Sequence, residues 1–140
     1  MKKLTQTIGT LCLLASLPVT AVGFDESEPI LCAVSNYNEC AIEGCESVTA
    51  ASINAPTFFR LNADKKTLQT ITEGKARVSR LDQIELIDGQ LLAAGVEDRS
   101  EGAAGGVAYS IVVTIETGNL VFSAVSDDLS FTAFGACIQD

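Results

Sequence analysis

The stretch Gly106 to Cys137, GVAYSIVVTIETGNLVFSAVSDDLSFTAFGAC, decides the fold of this chain. Its apolar residues fall at every second position in three runs: Tyr109, Ile111, Val113 and Ile115; Leu120, Phe122 and Ala124; Leu129, Phe131 and Ala133. A period of two with β-branched and aromatic side chains belongs to strands that bury one face, because successive side chains of a strand point to opposite sides. The breaks between the runs, Glu116-Thr117-Gly118-Asn119 and Ser126-Asp127-Asp128, are short and built from turn formers. The three runs are therefore expected to follow one another as an antiparallel meander.

Working outward from this stretch, the preceding chain carries shorter signals of the same kind. Ile84 to Ile87 and Gln90 to Val96 flank Asp88-Gly89, a strong hairpin signature. Lys75 to Leu81, Thr67 to Thr72, and Thr57 to Leu61 read as further strands, with Asn62 to Lys66 as a turn. Ile30 to Ser35 reads as the first strand. Ser47 to Asn54 is expected to form one or two helical turns, with Ser47 or Thr49 as N-cap and Pro56 ending it. The expected fold is all-β: a small up-and-down meander of about eight strands, closed or nearly closed into a barrel, with one short helix. Closure would remove the exposed edges that a meander leaves. A β-sandwich is the alternative. The loop Glu97 to Gly106 is the one long interruption; with three glycines and no aromatic residue it reads as a flexible connector.

At the other end, residues 1–23 read as an export signal: Lys2 and Lys3, an apolar run from Ile8 to Val22, and a small-residue cleavage site at Ala21-Val22-Gly23. The run is short for a membrane span. Cys12 is preceded by Leu11 rather than a small residue, which argues against lipid attachment. Residues 24–140 are then a single β domain, expected in the periplasm, or secreted to the exterior as the alternative. Cleavage removes two of the nine Lys/Arg and none of the eighteen Asp/Glu, so the net charge moves from −9 to −11. A field of that sign repels nucleic acid and anionic membranes.

The remaining cysteines, Cys32, Cys40, Cys45 and Cys137, read as two disulfides in an oxidising compartment. Three connectivities exist for four cysteines; Cys40 with Cys45 and Cys32 with Cys137 is the expected one. The first closes a tight loop over Ala41-Ile42-Glu43-Gly44, and the second ties the first strand to the last. In the chain-entropy model, closing that long loop contributes about 4 to 5 kcal/mol. No Cys-x-x-Cys motif supports redox or zinc chemistry.

The chain contains no histidine and no tryptophan. Ser-His-Asp and Cys-His nucleophile systems and imidazole bases are therefore excluded. The adjacent pair Asp127-Asp128 is the nearest thing to a carboxylate dyad, and it reads as a turn. Tyr37, Arg60 and Arg80 are polar candidates, although the two arginines also suit salt bridges on an acidic surface.

Several elements together, Glu28-Pro29-Ile30-Leu31-Cys32-Ala33, the close cysteine pair, Asn54-Ala55-Pro56-Thr57-Phe58, Tyr109-Ser110-Ile111 with Glu116-Thr117-Gly118, and the ending Phe134-Gly135-Ala136-Cys137, give the chain its pattern. In these it resembles a group of small uncharacterised exported proteins of proteobacteria. The resemblance implies no activity, cofactor or catalytic residue. It implies structural roles for Gly135 and the cysteines.

The functional expectation is a non-enzymatic exported protein that needs no cofactor or metal and acts on a protein partner through its surface, by the Cys40 to Cys45 loop or the Glu97 to Gly106 loop. The alternative is a small barrel that binds an apolar ligand, with Phe58, Phe59, Tyr109, Phe122, Phe131 and Phe134 lining the cavity or filling the core. A barrel of this size is expected to spare little room for a cavity.

Overall fold

Among the described residues the alternation of the sequence becomes ten antiparallel strands: β1 (Ile30–Ala41), β2 (Gly44–Val48), β3 (Phe58–Asn62), β4 (Thr67–Thr72), β5 (Lys75–Arg80), β6 (Gln83–Ile87), β7 (Gln90–Glu97), β8 (Val107–Thr114), β9 (Asn119–Val125) and β10 (Ser130–Gln139). They form a single sheet in the order β5-β4-β3-β1-β10-β9-β8-β7-β6, with β2 added beside β1. The computed structural model describes residue 25 and residues 27–72, 75–97 and 106–139. The expected export signal with its expected cleavage site, Cys12, and residues 98–105 of the long loop lie outside the described residues.

The first strand occupies the centre of the sheet. It runs antiparallel to β10 over nearly its whole length, and its other side is shared, with β3 opposite Ile30 to Ala33 and β2 opposite Tyr37 to Ala41. A β-bulge between Val34 and Asn36 marks the change of neighbour, and there the Val34 amide donates to the Thr57 carbonyl at 2.9 Å. Bulges bend and twist a strand, so the sheet can curl around the bulky side chains of its concave face. Gly135, opposite Val34, makes the close approach possible: a Cβ there would lie 2.0 Å from the Ala33 carbonyl oxygen.

The core lies inside the curl. Ile30, Cys32, Phe59, Leu61, Leu68, Leu91, Tyr109, Ile111, Val113 and Leu120 are buried, each at the inward phase of its strand. The meander from β8 to β10 forms as the alternation requires, with Phe122 and Phe131 packed at the margin of the core. Both expected disulfides are present, Cys32–Cys137 and Cys40–Cys45, each joining residues directly opposite on paired strands. They point to an oxidising, extracytoplasmic environment.

Three expectations are corrected. The segment Ser47 to Asn54 is not a helix; Ser47 and Val48 belong to β2, which pairs with the prolonged β1, and Thr49 to Asn54 make hydrogen-bonded turns. Thr49 does cap a turn, its Oγ1 accepting from the Ser52 amide at 3.2 Å, but the disulfide-linked hairpin claims the preceding residues for a strand. The sandwich is replaced by one sheet. The sheet is a half-barrel rather than a closed one: no ladder joins its edge strands β5 and β6 among the described residues. Instead the chain turns sharply between them, with the Leu81 amide donating to the Lys66 carbonyl and the Asp82 amide to the Ala94 carbonyl.

The phase of β3 gives a direct test. Phe59 is 1% exposed and its neighbour Phe58 is 47% exposed. Phe59→Ala is expected to lower the unfolding free energy by about 3 to 5 kcal/mol, whereas Phe58→Ala costs under about 1 kcal/mol, read from urea midpoints at constant m-value.

Candidate functional site

Three of the ring side chains singled out from the sequence converge at one end of the half-barrel. Phe59 on β3, Phe122 on β9 and Tyr109 on β8 face inward, with Phe59 and Phe122 centroids 5.6 Å apart and Tyr109 and Phe122 centroids 6.3 Å apart. Such separations are those of favourable aromatic pairs. They form the floor of an open cleft of about 400 Å³. Tyr109 reaches this position because its partner across the ladder is Gly95, where a Cβ would lie 2.5 Å from the tyrosine hydroxyl. The ring thus covers the glycine, and its hydroxyl donates to the Arg80 carbonyl at 3.4 Å.

The walls and rim of the cleft are residues that sequence reasoning missed. Leu68, Thr70 and Thr72 alternate along β4 and line it, and Arg77 on β5 and Glu97 at the end of β7 stand at its edge. Arg77 Nε donates to Glu97 Oε1 at 2.7 Å, and the Ser79 hydroxyl donates to the same oxygen at 2.9 Å. These contacts link the two margins of the half-barrel where no ladder does. The period-two placement of Leu68, Thr70 and Thr72 was readable in the sequence; the meeting of β5 with β7 was not, because nothing local links residues twenty positions apart.

The other rings do not join the site. Phe58 and Phe134 lie on the outer face of the sheet, 47% and 42% exposed, correcting their expected place in the cavity or core. The reason is phase: each stands one residue away from an inward position, beside Phe59 and Ala133 respectively. Phe131 packs against the core but does not line the cleft. Asp127 and Asp128 are exposed in the turn between β9 and β10. Arg60 and Arg80 are exposed, and the Arg80 backbone, rather than its side chain, meets Tyr109.

Tyr37 is buried at 2% exposure on β1, and its hydroxyl donates to the Pro56 carbonyl. This bond ties the sheet to the turn that replaces the expected helix. Burial pushes the Tyr37 hydroxyl up to about 12. Tyr109 is also raised, first by burial and then by the negative charges of Glu97 and Asp82. The Asp82 carboxylate is held in place by accepting from the Val96 amide at 3.0 Å.

A second surface feature is the β1–β2 hairpin. Cys40–Cys45 closes it, and Ile42 projects from its tip at 96% exposure. Glu39, Glu43 and Glu46 lie around the disulfide. Comparison with protein-family models, with curated proteins and with solved structures finds no match to this chain.

Because both phenols favour their protonated form in the fold, the stability they provide is complete below the ordinary tyrosine value near 10 and is lost as pH rises through the folded value, about 12 for Tyr37. Urea midpoints should be level up to about pH 10 and fall above it. Tyr37→Phe should flatten that fall, and phenolate absorbance, undisturbed by tryptophan, should show the higher-titrating phenol missing.

Proposed function

We propose that this chain is an exported, periplasmic and non-enzymatic interaction protein whose contact element is the β1–β2 hairpin. The observation that carries this reading is Ile42, an isoleucine 96% exposed at the tip of a hairpin closed by Cys40–Cys45. Turn tips ordinarily carry glycine, asparagine, aspartate or serine, which cost nothing to leave in water. A disulfide across the hairpin reduces the conformational freedom lost on docking, which favours affinity. The three glutamates near it define the partner's chemistry: an apolar socket rimmed by lysine or arginine. The acidic character of the whole chain would steer such a basic partner toward it. The missing histidine supports a non-enzymatic role, as does the exposed turn position of Asp127 and Asp128.

Native mass spectrometry of the protein isolated from its own compartment tests this. A polypeptide is expected in stoichiometric complex with the wild type and absent from Ile42→Asp, whose stability should stay within about 0.5 kcal/mol of wild type as for an ordinary surface change. The Cys40→Ser/Cys45→Ser double variant should hold the same polypeptide more weakly. Equal complex formation by wild type and Ile42→Asp, or none by either, would overturn the proposal.

A further inference from the structure

The end of the half-barrel where Arg77 meets Glu97 carries a second feature, independent of the hairpin. Its cleft, about 400 Å³, falls within the range of roughly 300 to 1,000 Å³ typical of small-molecule sites. The room exists because the sheet does not close: side chains from β5 and β7 meet at the rim through Arg77 and Glu97, and the space between them and the aromatic floor stays open. We infer that this cleft is a binding site for a small, uncharged molecule with a flat apolar body and one hydrogen-bonding end.

Each part of that description follows from the lining. Phe122 is half-buried and offers ring surface to the cleft, backed by the buried rings of Phe59 and Tyr109 in tilted and stacked arrangement, a pairing that a planar apolar group can extend. Thr70 and Thr72 place hydroxyls on the β4 wall, able to donate to or accept from a polar end. The described charged groups at the cleft are Arg77 and Glu97, and they neutralise each other at 2.7 Å. A ligand carboxylate would compete with Glu97 for the arginine, and a ligand cation would compete with Arg77 for the glutamate. A neutral ligand disturbs neither. The depression at the opposite end of the half-barrel, about 430 Å³, contrasts with this: Asp64, Lys66 and Glu85 line it and no ring does.

The test uses N-phenyl-1-naphthylamine, a neutral dye of flat rings with one N–H, against its sulfonated, anionic counterpart. The whole exported chain should bind the neutral dye at one saturable site with a rise in fluorescence, and the anionic dye at least about tenfold more weakly, a difference of about 1.4 kcal/mol. Thr70→Trp, which fills the cleft, should abolish binding while the melting temperature is retained. Glu97→Gln, which removes one negative charge at the rim beside Arg77, should shift preference toward the anionic dye. Independently of any variant, amide chemical shifts of the wild type on dye addition should change around Phe59, Thr70, Tyr109 and Phe122. Shifts confined to the outer face around Phe58 and Phe134, unsaturable binding, or equal affinity for both dyes would overturn the inference. Loss of hairpin docking in Ile42→Asp should leave dye binding unchanged, so the two proposals fail separately.

Discussion

The linkage between Cys32 and Cys137 is the constraint on which the rest of the structure depends. These residues stand directly opposite on β1 and β10, 105 positions apart in the chain, and both are buried. Joining them removes from the unfolded ensemble the freedom of nearly the whole domain. It also fixes which strands meet at the middle of the sheet. Once β1 and β10 are locked in register, the remaining strands have two places to go. β3, β4 and β5 extend one side, and β9, β8, β7 and β6 extend the other. The two wings are simple meanders, so local hairpins complete the sheet without any further crossing of the chain.

Curvature follows from the same seam. The bulge in β1 and the glycine opposite it bring two backbones close, and the sheet bends toward the face that carries the larger side chains. Burial of Phe59, Leu61, Ile111 and Leu120 then stabilises the curl. The wings approach at Leu81 and Asp82, where backbone hydrogen bonds anchor the turn from β5 into β6. Farther along, the contact passes to side chains, Arg77 and Ser79 against Glu97. An inward-directed arginine on an edge strand also discourages edge-to-edge pairing with another chain. The outcome is a half-barrel whose wings are joined by backbone hydrogen bonds at Leu81 and Asp82 and by side chains at Arg77, Ser79 and Glu97.

Two parts of the molecule remain in excess of what folding requires. The β1–β2 hairpin adds β2 off the main path of the sheet, and its disulfide closes a short loop, worth about 2 kcal/mol in the chain-entropy model against about 5 for Cys32–Cys137. Its rigidity is more useful for presenting Ile42 than for holding the core. The aromatic floor of the cleft is likewise only partly covered, Phe122 being half-buried. Neither feature interferes with the other, since they lie on different elements.

By itself the sequence determined the strand character of the chain, the meander of β8 to β10, the Asp88-Gly89 hairpin and the inward phase of Tyr109 and Phe122, and among three possible connectivities it favoured the two disulfide pairings that form. Each of these is local, or follows from alternation and cysteine spacing, and local signals survive without knowledge of distant neighbours. Only the tertiary structure decided that Ser47 and Val48 extend a hairpin instead of starting a helix, since their pairing with β1 outweighs a weak capping signal. It also decided that Phe58 and Phe134 face outward. Short apolar runs such as Thr57-Phe58-Phe59 and Ala133-Phe134 leave the phase open, and a shift of one residue moves a side chain to the opposite face. The cleft belongs to the same class of property. It arises from the meeting of β5 with β7 across the curl, and that meeting is set by the curvature of the whole sheet rather than by any segment of it.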